Sequence, residues 1–226
     1  HPDIIEGQAT VAAEIMSQLP DDVVPDLLAM PVGGGGLSAG MTGYLDGIVK
    51  DEDFLFVEPT GAPSLKRSLE TGHVVTLPKV DNFVDGAAVA RIGDLNFDSM
   101  QVVLVPENAI CVTMMDMLNV EGVVLEPAGA LSVAVLDRIG REQLKGKTVV
   151  CVVSGSNFDF ERLPDVKERA MRYQGLKKYF VLRLPQRPGA LRDFLTLLGP
   201  DDDIARFEYL KKSARNFGSV LLGIET

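Results

Sequence analysis

Four consecutive glycines, Gly33 to Gly36, follow an apolar run of strand length and precede a segment with helical spacing. A strand, a glycine turn and a helix N-terminus are typical of an anion site, because exposed N–H groups and the positive helix end point at the ligand. The run lacks the Gly-Lys-Ser/Thr of a nucleotide P-loop, and Ser38 stands where the GxGxxG pattern needs its last glycine. The pattern therefore favours a single terminal phosphate over a flexible turn.

A second polar segment, SGSNFD from Ser154 to Asp159, directly follows the β-branched run KTVVCVV. A hydroxyl at the carboxyl end of a central strand lies where open α/β sheets bind their ligands. Serine is also a common turn residue, so Ser154 indicates a site only in combination with the glycine loop.

Strand and helix patterns alternate through the first two thirds of the chain, which predicts a parallel sheet covered on both faces. The predicted strands are Asp26–Val32, Asp53–Val57, Val102–Val105 and Lys147–Val153. The predicted helices are Gly7–Leu19, 37–50, 62–72 (with Gly72 as its stop), Glu107–Asn119 and Pro127–Ile139.

The pattern changes after Ser154. A charged, periodic segment ending at Gly175 predicts a connecting helix, and a β-α-β-β order follows. That order is the first part of a ferredoxin-like unit, whose second helix and last strand we do not find before Thr226. The predicted elements are a strand Tyr179–Leu184, a helix Ala190–Leu198, and a hairpin of Ile204–Lys211 with Ser219–Glu225.

Composition excludes several classes of protein. The 226 residues have a formal net charge of −10, which argues against a nucleic-acid backbone or an anionic membrane as partner. No apolar run approaches the ~18 residues that span a bilayer. Cys111 and Cys151 lie in apolar surroundings and are predicted to be buried free thiols, and two histidines are too few for a His-rich metal centre. We expect an acidic, soluble, cytoplasmic protein.

Four segments, in this order along the chain, resemble the pyridoxal-phosphate threonine dehydratases (threonine ammonia-lyases) of the tryptophan-synthase-β fold type. They are DIIEGQATVAAEI, PVGGGGLSAG, VEPTGAPSLKRSLETG with FVDGAAVARIGD, and EPAGALSVAVL with VVSGSN. The tail from GLKKYF through LGPDDDIARFEYLKK is similar to the start of the ACT-like regulatory domain of the biosynthetic enzymes.

The resemblance implies an α/β fold with a parallel-sheet catalytic part of fold type II, followed by a partial α+β ferredoxin-like (ACT-like) domain. The first comprises residues 1–160, a connecting helix or linker comprises 161–175, and the regulatory part comprises 176–226.

The resemblance also implies a cofactor, pyridoxal 5′-phosphate, and the residues that bind it. In the family the tetraglycine loop holds the cofactor phosphate, which places this role on Gly33, Gly34, Gly35, Gly36 and Leu37. The serine that opens SGSN bonds the pyridine nitrogen, which places that role on Ser154. A neutral hydroxyl should leave this nitrogen mostly unprotonated, and the weaker electron sink favours early loss of a β-hydroxyl. Gly86, in FVDG, either lines the ring or simply forms a turn.

Glu58 and Glu126 each precede a proline and are interpreted as solvated charges at strand or loop ends. In relatives such as serine racemase, the stretch that matches Glu58 helps to hold a divalent cation. The second carboxylate of that site would fall on Ser64, which supplies no charge. We therefore expect no metal site.

Two segments of the family pattern do not occur: Ser-x-Lys-x-Arg, with the Schiff-base lysine, and Ser-x-Gly-Asn-His, with the ring-packing asparagine. The lysines of this chain lie in charged or loop contexts rather than in the small apolar surroundings that imine chemistry needs. We expect no catalytic residue among residues 1–226 and place the lysine upstream of His1.

The implied function is β-elimination of L-threonine to 2-oxobutanoate and ammonia, the first step of isoleucine biosynthesis, in a homo-oligomer (dimer or tetramer) with isoleucine as effector. A serine dehydratase or serine racemase relative acting on L-serine is an alternative with the same chemistry, although racemases and most catabolic enzymes lack a regulatory extension. A non-catalytic amino-acid sensor is an alternative from a different class.

Overall fold

The computed structural model describes residues 1–93, 101–210 and 216–226, and for Leu210 the backbone only. These residues form two compact units, His1–Val166 and Lys167–Thr226. The domain boundaries expected from the sequence, 160/161 and 175/176, stay a prediction.

The first unit is built around a four-stranded sheet with the order β3-β2-β1-β4, in which every neighbouring pair is parallel. Its strands are β1 (Leu27–Pro31), β2 (Phe54–Pro59), β3 (Gln101–Val105) and β4 (Val149–Cys151). Its helices are α1 (Pro2–Gln18), α2 (Gly36–Leu45), α3 (Ser64–Thr71), α4 (Glu107–Asn119), α5 (Pro127–Ala134), α6 (Leu136–Ile139) and α7 (Arg141–Leu144). The predicted parallel α/β sheet is confirmed.

The core lies along β1 and β2, which are buried on both faces as expected for inner strands of a parallel sheet. α1 and α2 pack closely because Gly40 of α2 has no side chain. A Cβ there would collide with the backbone oxygen of Ile5 and lie 2.8 Å from the backbone nitrogen of Ala9. The helix interface therefore requires glycine, and it fixes the helix that begins at the glycine loop.

Several predicted bounds differ from the structure. α1 begins at Pro2 rather than Gly7, because proline suits the first helical turn and the His1 side chain accepts from the backbone N–H of Asp3. The predicted helix Pro127–Ile139 is divided at Val135 into α5 and α6. β4 has three residues instead of seven, because its pairing with β1 covers only Val149–Cys151. Gly72 ends α3 at a φ of +71°, as predicted.

The second unit contains a three-stranded antiparallel sheet with the order β5-β7-β6 and a short helix. Its elements are β5 (Lys177–Pro185), α9 (Ala190–Leu195), β6 (Asp203–Leu210) and β7 (Phe217–Glu225), and α8 (Leu163–Tyr173) contains the boundary between the units. The predicted β-α-β-β order and the β6–β7 hairpin are confirmed, with Lys211 outside the described residues.

Among the cations of this unit for which an ion pair is recorded, Lys177 has the least exposed side chain. Its ammonium lies 2.7 Å from a carboxylate oxygen of Glu168 and 3.0 Å from one of Glu225, and its side chain is only 12% exposed. The hydrogen bonds that Lys177 donates to these carboxylates raise the pKa of its ammonium group. The three charges join the C-terminal part of α8 to the first and last strands of the sheet.

Candidate functional site

The glycine loop connects the end of β1 to the start of α2. The N–H of Val32 donates to the oxygen of Val57 at 2.9 Å, and the chain then turns so that α2 begins at Gly36. Gly35 is the N-cap and has a left-handed φ of +88°, a conformation that L side chains rarely adopt. The first N–H groups of any α-helix have no intrahelical partner and carry the positive end of its dipole. No side chain caps this ten-residue helix, so these groups remain available to a ligand.

Ser154 lies beside this loop because β4 pairs in parallel with β1. Ala29 is opposite Cys151, and the N–H of Val152 donates to the oxygen of Ala29 at 2.9 Å. The segments that follow β1 and β4 therefore leave neighbouring strands at the same edge of the sheet, where α/β folds bind ligands.

A cavity of about 320 Å³ opens at this edge. Its lining contains every residue to which the sequence assigns cofactor binding: Gly33, Gly34, Gly35, Gly36, Leu37 and Ser154. Gly86 is also in the lining and lies in a turn, so its contact with the cofactor ring stays a prediction. Among residues that sequence analysis did not select, Gln8, Ser38, Ala87 and Ala128 line it as well. Ser38 and Ala87 directly follow Leu37 and Gly86 in the chain, whereas Gln8 and Ala128 come from distant segments that no local pattern could have grouped with the loop.

The loop leaves bare backbone facing the cavity. An ideal Cβ on Gly34 would meet no atom within 4 Å, so a side chain there would occupy open space. On the other side, a Cβ on Gly33 would lie 3.1 Å from the oxygen of Gly86, which shows how closely the two loops approach. The N–H of Gly93 donates to the oxygen of Gly34 at 3.1 Å and fixes the turn. This cradle, which a Cβ would fill, fits a phosphate group.

Arg162 holds the loop that presents Gly86. Its guanidinium donates to the oxygen of Phe83 at 2.8 Å, lies 5.1 Å from the centre of the Phe83 ring, and is 3.6 Å from a carboxylate oxygen of Asp85. No sequence pattern indicates this role, because 79 positions separate Arg162 from Phe83.

The interpretation of Glu58 as a solvated charge is wrong. Its side chain is fully buried, and its carboxylate accepts from the N–H of Leu65 at 2.7 Å and of Lys66 at 2.9 Å. Ser64 donates to it at 3.4 Å. The physical reason is that α3 has Pro63 at its N-cap, which supplies no side-chain acceptor, so the strand-end carboxylate satisfies the first N–H groups of the helix.

Burial raises the pKa of Glu58 above its usual value of 4.5, although its hydrogen bonds act in the opposite direction. The folded state therefore binds this proton more tightly than the unfolded chain, and stability is lost as the pH rises above 4.5. Glu58→Gln has no titratable group at this position and serves as the reference. We expect the free energy of unfolding of wild type to fall with rising pH relative to that of Glu58→Gln, by at most about 1.4 kcal/mol per pH unit. Urea unfolding between about pH 4.5 and about pH 7.5 measures this difference.

The matched control is Glu52→Gln, because Glu52 is exposed. Its difference from wild type should stay constant over the same pH range. A constant difference for Glu58→Gln as well would contradict the assigned effect of burial.

Glu126 also departs from its interpretation as a solvated charge. It is half-buried and lines the cavity. Among the residues that the structure describes, no group of three or more His, Cys, Asp or Glu side chains could hold a metal ion.

Neither Cys111 nor Cys151 forms a disulfide, as predicted, but only Cys111 is fully buried and Cys151 is partly so. Burial raises the pKa of the Cys151 thiol to about 11, which makes a reactive thiolate scarce at neutral pH.

Comparison with known proteins identifies the first unit. The family model of pyridoxal-phosphate dependent enzymes matches residues 1–155, well over half of the chain. The chain belongs to this family. A second model, the C-terminal regulatory domain of threonine dehydratase, matches residues 168–226. Pyridoxal 5′-phosphate is thus the cofactor, and the cradle at the start of α2 fits its phosphate.

Individual relatives agree with both matches. The biosynthetic L-threonine dehydratase IlvA of Bacillus subtilis is 49% identical over 230 residues, covering 99% of this chain and 54% of the relative. The processed form of threonine deaminase isoform 2 from Solanum lycopersicum aligns with a TM-score of 0.66 and 35% identity, over 75% of this chain and 48% of that one. Maize serine racemase aligns with a TM-score of 0.61 and 28% identity, over 74% and 53%. The chain spans about half the length of the curated relatives it matches.

In the described residues, no helix combines the length and apolar character that crossing a membrane requires. The lining of the cavity in those residues contains no lysine.

Proposed function

We propose that this chain is part of a biosynthetic threonine ammonia-lyase that converts L-threonine to 2-oxobutanoate and ammonia by β-elimination. The observation that carries the proposal is the cavity that joins the uncapped N-terminus of α2 to Ser154. The chain is similar to proteins named threonine dehydratase and threonine deaminase, and its second part matches a regulatory domain named for that enzyme. These similarities support L-threonine as the substrate.

The glycine loop and Ser154 bind different parts of the cofactor. The backbone N–H groups of Gly33 to Leu37 bind the dianionic phosphate, and the absence of side chains lets it approach closely. The hydroxyl of Ser154 bonds the pyridine nitrogen without adding a charge. When bound, the cofactor supplies the electron sink for cleavage of bonds at the α-carbon of the amino acid. Gly86 lines the face of the site, held by Arg162 through Phe83 and Asp85.

We propose that the lysine that binds the cofactor covalently is upstream of His1, that isoleucine is the effector through the second unit, and that the enzyme is a cytoplasmic dimer or tetramer. The similarity to maize serine racemase makes an L-serine-specific enzyme the second candidate. Turnover of L-threonine and L-serine by the full-length enzyme distinguishes the two.

A substitution in the loop tests the proposed site. Gly34→Ala should weaken binding of pyridoxal phosphate to the full-length protein by at least about tenfold, because the added methyl group enters the phosphate cradle. The free protein should remain as stable as wild type, since this Cβ meets no protein atom and Gly34 is not among the glycines with positive φ. Fluorescence titration with the cofactor measures the dissociation constant.

Gly43→Ala is the matched control. Gly43 lies in α2, its Cβ would also meet nothing within 4 Å, and it does not line the cavity. It should leave the dissociation constant unchanged. Equal cofactor affinity in Gly34→Ala and wild type would remove the glycine loop from the phosphate site.

A further inference from the structure

Glu126 has the one charged side chain among the described residues that line the cavity. It is tied to the segment that follows Ser154, because its backbone N–H donates to the oxygen of Gly155 at 3.2 Å. It also occupies the N-cap position of α5, where its side chain makes no capping hydrogen bond. The carboxylate is therefore not used to satisfy the helix that it precedes.

Two glycines make room for this carboxylate. A Cβ on Gly155 would collide with the carboxylate of Glu126. A Cβ on Gly86 would lie 3.4 Å from Oε1 of Glu126 and 2.9 Å from Cβ of Ala128. The backbone oxygen of Glu126 accepts from the N–H of Ala130 at 3.2 Å. Within residues 1–93, 101–210 and 216–226, no group is recorded as donating a hydrogen bond to its carboxylate, and no ion pair is recorded for it. Packing thus holds a half-buried carboxylate in the cavity wall with its oxygens available to a ligand.

We propose that Glu126 sets the charge of the cofactor ring together with Ser154, by raising the pKa of the pyridine nitrogen. The inference rests on the proposed function, which places that nitrogen at Ser154. An anionic group near a titratable nitrogen favours its protonated form, and a low local dielectric strengthens the effect. The neutral hydroxyl of Ser154 and the carboxylate of Glu126 therefore act in opposite directions, and the enzyme obtains an electron sink of intermediate strength.

Other charges near the site do not replace Glu126. The nearest charged pair recorded at the Gly86 loop is Asp85 with Arg162, whose opposite charges lie 3.6 Å apart and offset each other. Removing the Glu126 charge should consequently change the field at the ring more than any other single neutralisation in this part of the chain.

The test follows the protonation of the ring nitrogen directly. The full-length holoenzyme is reconstituted with pyridoxal phosphate labelled with nitrogen-15, and the chemical shift of the ring nitrogen is recorded against pH. In Glu126→Gln, the pKa of the ring nitrogen should fall by about one unit or more. Glu126→Asp keeps the charge and should stay closer to wild type. Glu121→Gln, at an exposed position outside the cavity lining, should match wild type.

Three results would overturn the inference. One is a wild-type ring nitrogen that stays unprotonated down to about pH 5, well below the usual His pKa range. Another is a Glu126→Gln titration that coincides with wild type. The third is an equal shift in Glu126→Asp and Glu126→Gln, which would assign the effect to packing. A wild-type protein that does not bind the cofactor at all would instead reject the proposed function itself.

Discussion

Ser154→Asp in the full-length enzyme should lower threonine turnover by at least about tenfold and raise the share of side reactions such as transamination. A carboxylate within hydrogen-bond reach raises the pKa of a titratable nitrogen by about 1–3 units, and each unit changes the protonation equilibrium tenfold. A protonated ring is a stronger electron sink, so loss of the β-hydroxyl no longer outpaces competing steps. Steady-state formation of 2-oxobutanoate and analysis of the cofactor after turnover measure the two effects.

Two variants separate this electrostatic effect from damage to the fold. Ser154→Thr keeps the hydroxyl and should retain most of the activity. Ser156→Asp adds the same charge at an exposed residue outside the cavity lining and should behave as wild type. Unchanged threonine turnover in Ser154→Asp would reject the assigned role of Ser154.

Removal of all residues after Gly175 from the full-length enzyme should abolish inhibition by isoleucine while sparing basal activity. Residues from Lys177 onward form a sheet of their own, so their removal does not open the parallel sheet of the first unit. The truncation removes Lys177 and Glu225 together and leaves Glu168 on α8 without these two partners. The Glu168 side chain is 29% exposed, so its unpaired charge should cost little folding free energy. Threonine turnover at increasing isoleucine concentration measures the loss.

The basal rate without isoleucine is the internal control for this experiment. If inhibition persists in the truncated enzyme at an unchanged basal rate, the effector binds elsewhere and the regulatory role proposed for the second unit is wrong.

The elements predicted correctly are those with local signals. The period of the apolar residues gave the order of strands and helices, and Gly72 and Gly175 gave helix ends because a positive φ there suits glycine. The predicted helix Glu107–Asn119 agrees with α4 at both ends. The errors lie where tertiary contacts decide the bounds, as at β4, whose pairing with β1 covers only Val149–Cys151.

Glu58 and Glu126 show what the sequence leaves open at the site. Both precede proline after an apolar run, so their local patterns are nearly the same. The Glu58 carboxylate accepts hydrogen bonds from the first N–H groups of α3, whereas Glu126 lies in the cavity wall between Gly86 and Gly155. The partners of Glu58 follow it closely in the chain, but whether its carboxylate reaches them depends on how α3 packs against β2. The neighbours of Glu126 at Gly86 and Gly155 come from segments that are distant in sequence, and no local pattern records such contacts.

The sequence by itself determined that a glycine loop starts α2 and that a serine follows a strand, because both depend on backbone conformation over a few residues. The expectation that this strand is central differs from the described sheet, in which β4 has β1 as its one neighbour. Only the tertiary structure decided that these two segments share a cavity to which, among the described residues, Glu126 contributes the one charged side chain. That outcome depends on the parallel pairing of β1 with β4 and on the close approach of three loops, which are contacts between residues far apart in the chain.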